Sequence, residues 1–484
     1  MKLNYKRTIL VGFAFFLISA FWQAYDAIVP LILTNHYGFS QTISGMVMSL
    51  DNVLAVFLLP IFGAISDKVM TRFGKRTPFI VVGTVAAVIS FVFLAILDAS
   101  QLARLADEGI IDAYNMTKSA LDAARESGNE TLIALYEAGL VKITERVQEI
   151  TLANLWPVVG FIGVLLAVLL SMAIFRSPAV ALMPDVTVKP LRSKGNAIIN
   201  LMGTAGGILV LALGIVFGTS KNLYMSYVGY VIAVVAIMLG GLIVFMLTVK
   251  EKSWAEDMER DSEKFGIEDK GEQYDGVAKK LSKAEFISLL LILASVALWY
   301  IGYNSITSKY SVYATNILGF DYNATLIVAQ GAAVVSYIPV GIISSKFGRR
   351  RTILAGVAML ATAFLLGYFI TSKAHPLVMY PIFALAGIGW ATINVNSFPM
   401  VVELARGGNV GKYTGYYYTA SMAAQIVAPV LSGALYDLLG MRHVFFIFGT
   451  IFVALSFVTM FFVKHGDAKP EKQDALEALA GAED

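Results

Sequence analysis

The chain has 484 residues, 57% of them hydrophobic and 15% charged, with a formal net charge of +3 and a mean hydropathy of +0.70. Soluble domains average about 25% charged residues, so the composition excludes an ordinary soluble globular protein. There is no cysteine, which removes disulfides and thiolate metal sites.

Apolar stretches long enough to cross a bilayer, about 20 residues each, recur along the chain. Twelve spans are predicted: 8–33, 43–66, 77–97, 155–183, 195–219, 224–249, 284–306, 322–344, 352–371, 376–402, 411–436 and 443–464. The first follows MKLNYKRTIL with no small-residue cleavage site and reads as a retained helix rather than a signal peptide. Between the third and fourth spans lies a polar segment, 98–153, with ten Asp/Glu and five Lys/Arg and few helix breakers; one or two surface helices are expected there. A charged segment, 250–283, divides the spans six and six, and a polar tail, 465–484, closes the chain.

Basic residues cluster in the loops KVMTRFGKR, VKPLRSKGN, KFGRRR and ARGGNVGK, while the alternate loops, such as TNHYGFSQ and SKNLY, are poor in them. The positive-inside rule then places both termini in the cytoplasm of a multi-pass plasma or cytoplasmic membrane protein, with 98–153 outside.

The two sets of spans repeat. At an offset of 278 residues, Phe21-Trp22-x-x-Tyr25-Asp26 falls on Trp299-Tyr300-x-x-Tyr303-Asn304, and Gly63-x-x-Ser66-Asp67 falls on Gly341-x-x-Ser344-Ser345. Parallel six-span repeats related by an axis along the membrane normal are the architecture of major-facilitator transporters. The expected fold is therefore all-α: twelve transmembrane helices in two pseudo-symmetric six-helix bundles, 1–249 and 284–464, joined by a cytoplasmic linker.

The loop GAISDKVMTRFGKRTP (63–78) resembles the signature of that superfamily, and its second copy, GIISSKFGRRR (341–351), is weaker. Such residues suit a gating latch, because charge-assisted bonds form in one conformer and break in another. The candidates are Gly63, Asp67, Arg72, Gly74, Arg76, Asp185, Arg349, Arg350 and Glu403, the last two acids standing at corresponding places ahead of basic loops. The longer form, Thr71-Arg72-Phe73-Gly74-Lys75-Arg76-x-Pro78, resembles the sugar:cation symporters, closest to the sucrose and SLC45-type proton-coupled carriers. RSPAVALMPDV (176–186), RSKGNAIINLMGTAGG (192–207), GTSKNLY (218–224) and GIGWATINVNSFPM (387–400) fit the same group. That resemblance implies a proton-coupling role for Asp185, which competes with its place in the latch, and matches Lys221 to a basic residue of the plant carriers. The melibiose-type sodium carriers place two carboxylates four apart in the second span. Here those positions are Ala55 and Leu59, before Pro60, which argues against sodium coupling by that arrangement.

A symporter needs a group that is charged on one leg of its cycle and neutral on another. The four histidines, His36, His375, His443 and His465, are expected in loops, at span ends or in the tail. Asp26 and Asp51 are the carboxylates expected to interrupt otherwise uncharged spans at appreciable depth, and an intramembrane carboxylate is a functional candidate by default. Asn52 follows Asp51 and can orient it, which favours Asp51 for the proton and Asp26 for substrate. Either could equally be a helix-packing carboxylate.

A sugar needs aromatic surface for its C–H faces and fixed polar groups for its hydroxyls. The substrate-binding candidates are Trp22, Gln23, Asp26, Asn52, Asn200, Trp299, Tyr303, Asn304, Gln330, Trp390, Asn394 and Gln425. Asn304 lies four residues after Tyr300 and Asn394 four after Trp390, so each pair shares a helix face.

The expected activity is secondary active transport: proton-coupled symport of a sucrose- or maltose-like disaccharide or glycoside by alternating access, with no enzyme activity, cofactor, metal or nucleic-acid partner, in a monomer. Two alternatives are proton-driven efflux of apolar compounds and a non-transporting sensor that uses 98–153 for recognition.

Overall fold

The computed structural model describes residues 3–188, 191–264, 281–402, 404 and 410–466. Among them are twelve helices long and apolar enough to cross a membrane. The crossing helices are α1 (Tyr5–Leu31), α2 (Gln41–Lys68), α3 (Thr77–Asp107), α6 (Trp156–Asp185), α7 (Arg192–Phe217) and α8 (Val228–Thr248), then α10 (Lys283–Thr307), α12 (Tyr322–Phe347), α13 (Arg349–Tyr368), α14 (Met379–Val402), α15 (Val410–Leu439) and α16 (Met441–Phe461). Outside the membrane set lie α4 (Ile110–Glu126), α5 (Glu130–Ala153) and α9 (Glu251–Lys264), while a short α11 (Tyr310–Val312) continues α10.

Start signals follow the sequence. Asn4, Ser40, Asn129 and Asp321 each accept a backbone N–H at the first turn of α1, α2, α5 and α12, and Ser282 with Glu285 forms a reciprocal capping box on α10. Prolines sit inside six of the spans, tolerated because neighbouring helices cover the freed backbone groups.

The packing shows the repeat directly. In the first half α1 packs on α7 and α8, α3 on α6 and α8, and α2 on α6. In the second half the equivalent pairs recur: α10 on α15 and α16, α13 on α14 and α16, and α12 on α14. Even the bridges between halves are paired, α2 with α15 and α7 with α12. Both α1 and the α10–α11 segment end in a π-helical turn, Ile32–His36 and Tyr313–Leu318.

These π turns meet at the end of the molecule that carries α4 and α5, here called the insert end. Asn35 and Asn316 exchange amide hydrogen bonds there at 3.4 and 2.7 Å. On one side of this pair the end of α7 holds the start of α12: Thr219 Oγ1 lies 2.7 Å from Tyr322 Oη and accepts from Asn323 Nδ2 at 3.0 Å. On the other side the end of α15 holds the start of α2. Asp437 accepts from the backbone N–H groups of Gln41 and Thr42, both at 2.8 Å. The helices touch closely at this point: a Cβ on Gly45 would stand 2.2 Å from the Pro429 carbonyl oxygen, and one on Gly433 would stand 2.4 Å from that of Gln41.

The 98–153 segment departs from expectation at its start. α3 runs on to Asp107, and Asp98 is buried, with its Oδ1 2.5 Å from Nδ1 of His36. His36, expected in a loop, is fully buried between the rings of Tyr224 and Tyr227, with Nε2 2.9 Å from the Leu223 carbonyl. Extending α1 by a π turn is what brings the imidazole inside. The rest of the segment forms the expected two helices, α4 and α5. Leu105, Ile110, Tyr114, Val147 and Ile150 gather around Tyr224, so this hairpin rides on the first half.

Of the segment 250–283, residues 251–264 form α9, while 265–280 fall outside the described residues, as do 467–484 of the tail.

Candidate functional site

At mid-depth the two halves enclose a cavity of about 540 Å³. From the first half, α1 contributes Trp22, Gln23 and Asp26, α6 contributes Arg176 and α7 contributes Thr204. From the second, α10 contributes Tyr303 and Asn304, α12 contributes Gln330 and Tyr337, and α14 contributes Trp390.

Each side chain is held. Gln330 Nε2 donates to Gln23 Oε1 at 2.6 Å, which joins the halves across the cavity. Tyr303 and Trp390 stack at 5.9 Å with planes 27° apart, so two flat faces come from two helices. Trp22 stands edge-on to Tyr25 and Phe21, both at 5.3 Å. Asn304 Nδ2 donates to the Tyr300 carbonyl of its own helix at 2.8 Å, which leaves its amide oxygen as the outward group.

The charges form a cluster. Asp26 opens into the cavity, and the Arg176 guanidinium sits 5.8 Å from the Trp22 ring centroid. Asp51 lies behind the lining, with Oδ1 accepting from Asn52 Nδ2 at 2.8 Å. Arg176 and Asp26 line the same cavity, so a guanidinium and a carboxylate face one space.

Seven of the twelve substrate candidates line the cavity: Trp22, Gln23, Asp26, Tyr303, Asn304, Gln330 and Trp390. Asn52, Asn200, Trp299, Asn394 and Gln425 do not. Asn200, Trp299 and Asn394 are buried, each one helical turn beyond a lining residue toward the end carrying the chain termini. On that side Ala197 of α7 packs with Ala333, Tyr337, Val340, Ala391 and Val395 in an apolar cluster that crosses between the halves, so the cavity stops a turn short.

Arg176 is the residue that sequence reasoning missed. It interrupts the span 155–183 as clearly as Asp26 interrupts the first, and it adds a cation to the lining that holds Asp26.

The latch residues of the first copy assemble at the termini end. Arg76, 6% exposed, donates from Nε to Asp185 Oδ2 at 2.7 Å, and from its other nitrogens to Asp67 Oδ1 and Ser66 Oγ. Burial alone would pull this guanidinium down; the bonds and charges of Asp185 and Asp67 outweigh it, so the group stays protonated. Asp185 thus pairs with Arg76 and does not line the cavity. Gly63 lies against Ser177, and Arg72 stands over the Phe73 ring at 4.6 Å, outside the network.

Glu251, absent from the expected set, joins it. Its carboxylate accepts from the backbone N–H groups of Lys75, Arg76 and Thr77 at 2.6, 2.8 and 2.7 Å, capping α3. Gly74 makes room for it: the backbone has φ +117° there, and a Cβ would stand 2.2 Å from the Glu251 carboxyl carbon. In the second copy Arg350 donates to the Met460 and Phe461 carbonyls at the end of α16. Arg349 begins α13, and Glu403 lies outside the described residues.

The family profile described as Major Facilitator Superfamily matches residues 149–406 and 325–481. The chain belongs to the major facilitator superfamily. A second profile, MFS/sugar transport protein, matches residues 10–103. Among curated proteins, an uncharacterised MFS-type transporter of Methanocaldococcus jannaschii is 22% identical over 95% of both chains. An MFS-type transporter of Metarhizium rileyi is 30% identical over a stretch spanning only 25% of its length. Among solved structures, the inward-open xylose transporter of E. coli superposes with a TM-score of 0.62 at 13% identity, covering 98% of this chain and 99% of that one. A D-xylose–proton symporter gives 0.59 at 15% identity over 96% and 99%. The chain is a transporter, not an enzyme, and the relationship to those structures is one of fold.

Proposed function

We propose that this transporter carries a sugar together with a proton, binding both in the central cavity and exposing that cavity to each side of the membrane in turn. The observation that carries this reading is the cavity wall itself: stacked aromatic faces at Tyr303 and Trp390, bonded amides at Gln23 and Gln330, and an acid, Asp26, with a half-buried arginine, Arg176, in the same lining. Aromatic faces suit the C–H surfaces of a pyranose, and amides with carboxylates suit its hydroxyls. A cavity of about 540 Å³ has room for a disaccharide or glycoside of the sucrose or maltose type. The sugar-transport profile over residues 10–103 and the two xylose carriers of like fold support the same class.

Proton coupling follows from charge counting. With Asp26 and Asp51 ionised and Arg176 protonated, the cluster carries one net negative charge in a low-dielectric site. One proton on either carboxyl makes it neutral, and a neutral, loaded cavity is the form that crosses most easily. Asp51, oriented by Asn52 and outside the cavity lining, is assigned the proton, and Asp26, facing the cavity, the sugar.

The basic loops place the termini in the cytoplasm and the α4–α5 hairpin outside. A membrane potential contributes about 2.3 kcal/mol per charge per 100 mV, enough to concentrate a neutral sugar inside. The Arg76 network then latches the cytoplasmic ends of α2, α3 and α6, and the monomer is the working unit.

The test is uptake of a panel of labelled sugars into proteoliposomes under an imposed pH gradient, with and without sodium. Accumulation of one sugar that collapses with a protonophore and ignores sodium is expected. Absence of uptake for every sugar, in a preparation shown to be folded, would overturn the reading.

A further inference from the structure

The second half holds one more buried ionisable side chain, which the proposed cycle does not use. Lys309 follows α10 and is 0% exposed. No acceptor reaches its Nζ among the described residues. Tyr436 Oη donates to the Ser305 carbonyl at 3.1 Å, which sets the end of α15, and Asp437 with it, beside the end of α10 that leads into Lys309. Asp437 is engaged elsewhere. Its two oxygens accept from the backbone of Gln41 and Thr42 at 2.8 Å, and from Thr42 Oγ1, all in the opposite half. The pseudo-symmetric bridge, α7 to α12, does the same work with neutral groups, Thr219, Tyr322 and Asn323. One bridge is neutral and the other is charged, and the charged one leaves a cation behind it without a hydrogen-bonding partner.

A buried ammonium with no bonded partner is destabilising, whereas a carboxylate at the first turn of a helix is stabilising. When the halves part at this end, Asp437 loses its three donors and becomes the natural partner for Lys309. We infer that Lys309 is a positioning residue for transport: it holds Asp437 when the insert end is open, and its unpaired burial when that end is closed keeps the two states near balance. Without it the clasp of Asp437 on α2 is unopposed and the insert end stays shut. Lys309 would act in this way whatever the substrate, since only movement of the halves is involved.

The test uses the absence of cysteine from the chain. Spin labels are placed at Leu155→Cys and Phe369→Cys, exposed at 52% and 67% on the insert end of opposite halves, and their distance distribution is read by pulsed electron paramagnetic resonance. Lys309→Met is expected to lower the ratio of long to short distances by roughly 10-fold, Lys309→Arg to keep the parent distribution, and Lys309→Met in an Asp437→Asn background to produce a several-fold smaller change. Lys309→Gln, which keeps a polar head, carries the same expectation as Met should the Met variant fail to fold. An unchanged distribution in the neutral variants, or an equal shift without Asp437, would overturn the inference. Because the readout is a distance, failure to find a transported sugar would leave it standing.

Discussion

Arg176 brings a positive charge into a helix that is otherwise apolar across the membrane, and it lines the same cavity as Asp26; in the proposed cycle it serves both Asp26 and Asp51. A planar guanidinium can face two acids from one position, whereas a lysine offers a single compact charge on a flexible stem. Arg176→Gln should therefore reduce pH-gradient-driven accumulation at least about 10-fold, and Arg176→Lys should restore only part of it, both measured as steady-state uptake in proteoliposomes. Asp26→Asn and Asp51→Asn should each impair uphill uptake; full uphill uptake in both would remove the carboxylates from the mechanism. On the aromatic wall, Trp390→Ala removes one face of the stack with Tyr303. A loss of about 1 kcal/mol corresponds to a several-fold rise in the half-saturating sugar concentration with a smaller change in maximal rate.

Helices decide how these residues meet. The four-residue spacing put Tyr300 with Asn304 on one face of α10 and Trp390 with Asn394 on one face of α14, but a shared face says nothing about which turn of it opens into space. Asn200, Trp299 and Asn394 lie one turn from Thr204, Tyr303 and Trp390, where the halves are sealed by the Ala197 cluster. Arg176 was legible, since a lone charge within a span carries the same warning as Asp26. Glu251 was not: an acid just after a span reads as ordinary linker, and its role depends on α9 folding back over the start of α3. Removing that cap has a measurable consequence. Glu251→Ala leaves three backbone N–H groups without their acceptor, and a destabilisation of about 1–3 kcal/mol is expected, read as a lower thermal midpoint in detergent. Gly45→Leu acts between helices. With the Pro429 carbonyl 2.2 Å from a Cβ there, the larger side chain should hold α2 and α15 apart. Increased labelling of single cysteines at the insert end would report it.

At the scale of the whole molecule the twofold repeat is nearly complete in its packing but broken in its charges. Asp26, Asp51 and Arg176 stand in the first half, and the residue matching Asp26 in the second is Asn304. The α4–α5 hairpin breaks the symmetry further, seated on Tyr224 and on the buried His36–Asp98 pair. Replacing 110–153 by a short loop should uncover that apolar cluster and lower thermal stability, while leaving sugar uptake in place, because no residue of the hairpin lines the cavity. Loss of uptake in a folded deletion variant would instead give the hairpin a part in transport.

Composition, span length, loop charge and the internal repeat determined that this chain crosses a membrane twelve times in two related bundles, because each of those properties depends on residues close together along the chain. The repeat also pointed to the first helix of each half as the place to look for chemistry. Tertiary structure alone decided which turns face the cavity, that Asp437 clasps α2 while Lys309 has no hydrogen-bond acceptor among the described residues, and that Arg176 lines the same space as Asp26. Those relations join residues from helices far apart in sequence, and hydrophobic periodicity carries no record of depth or of partners across an interface.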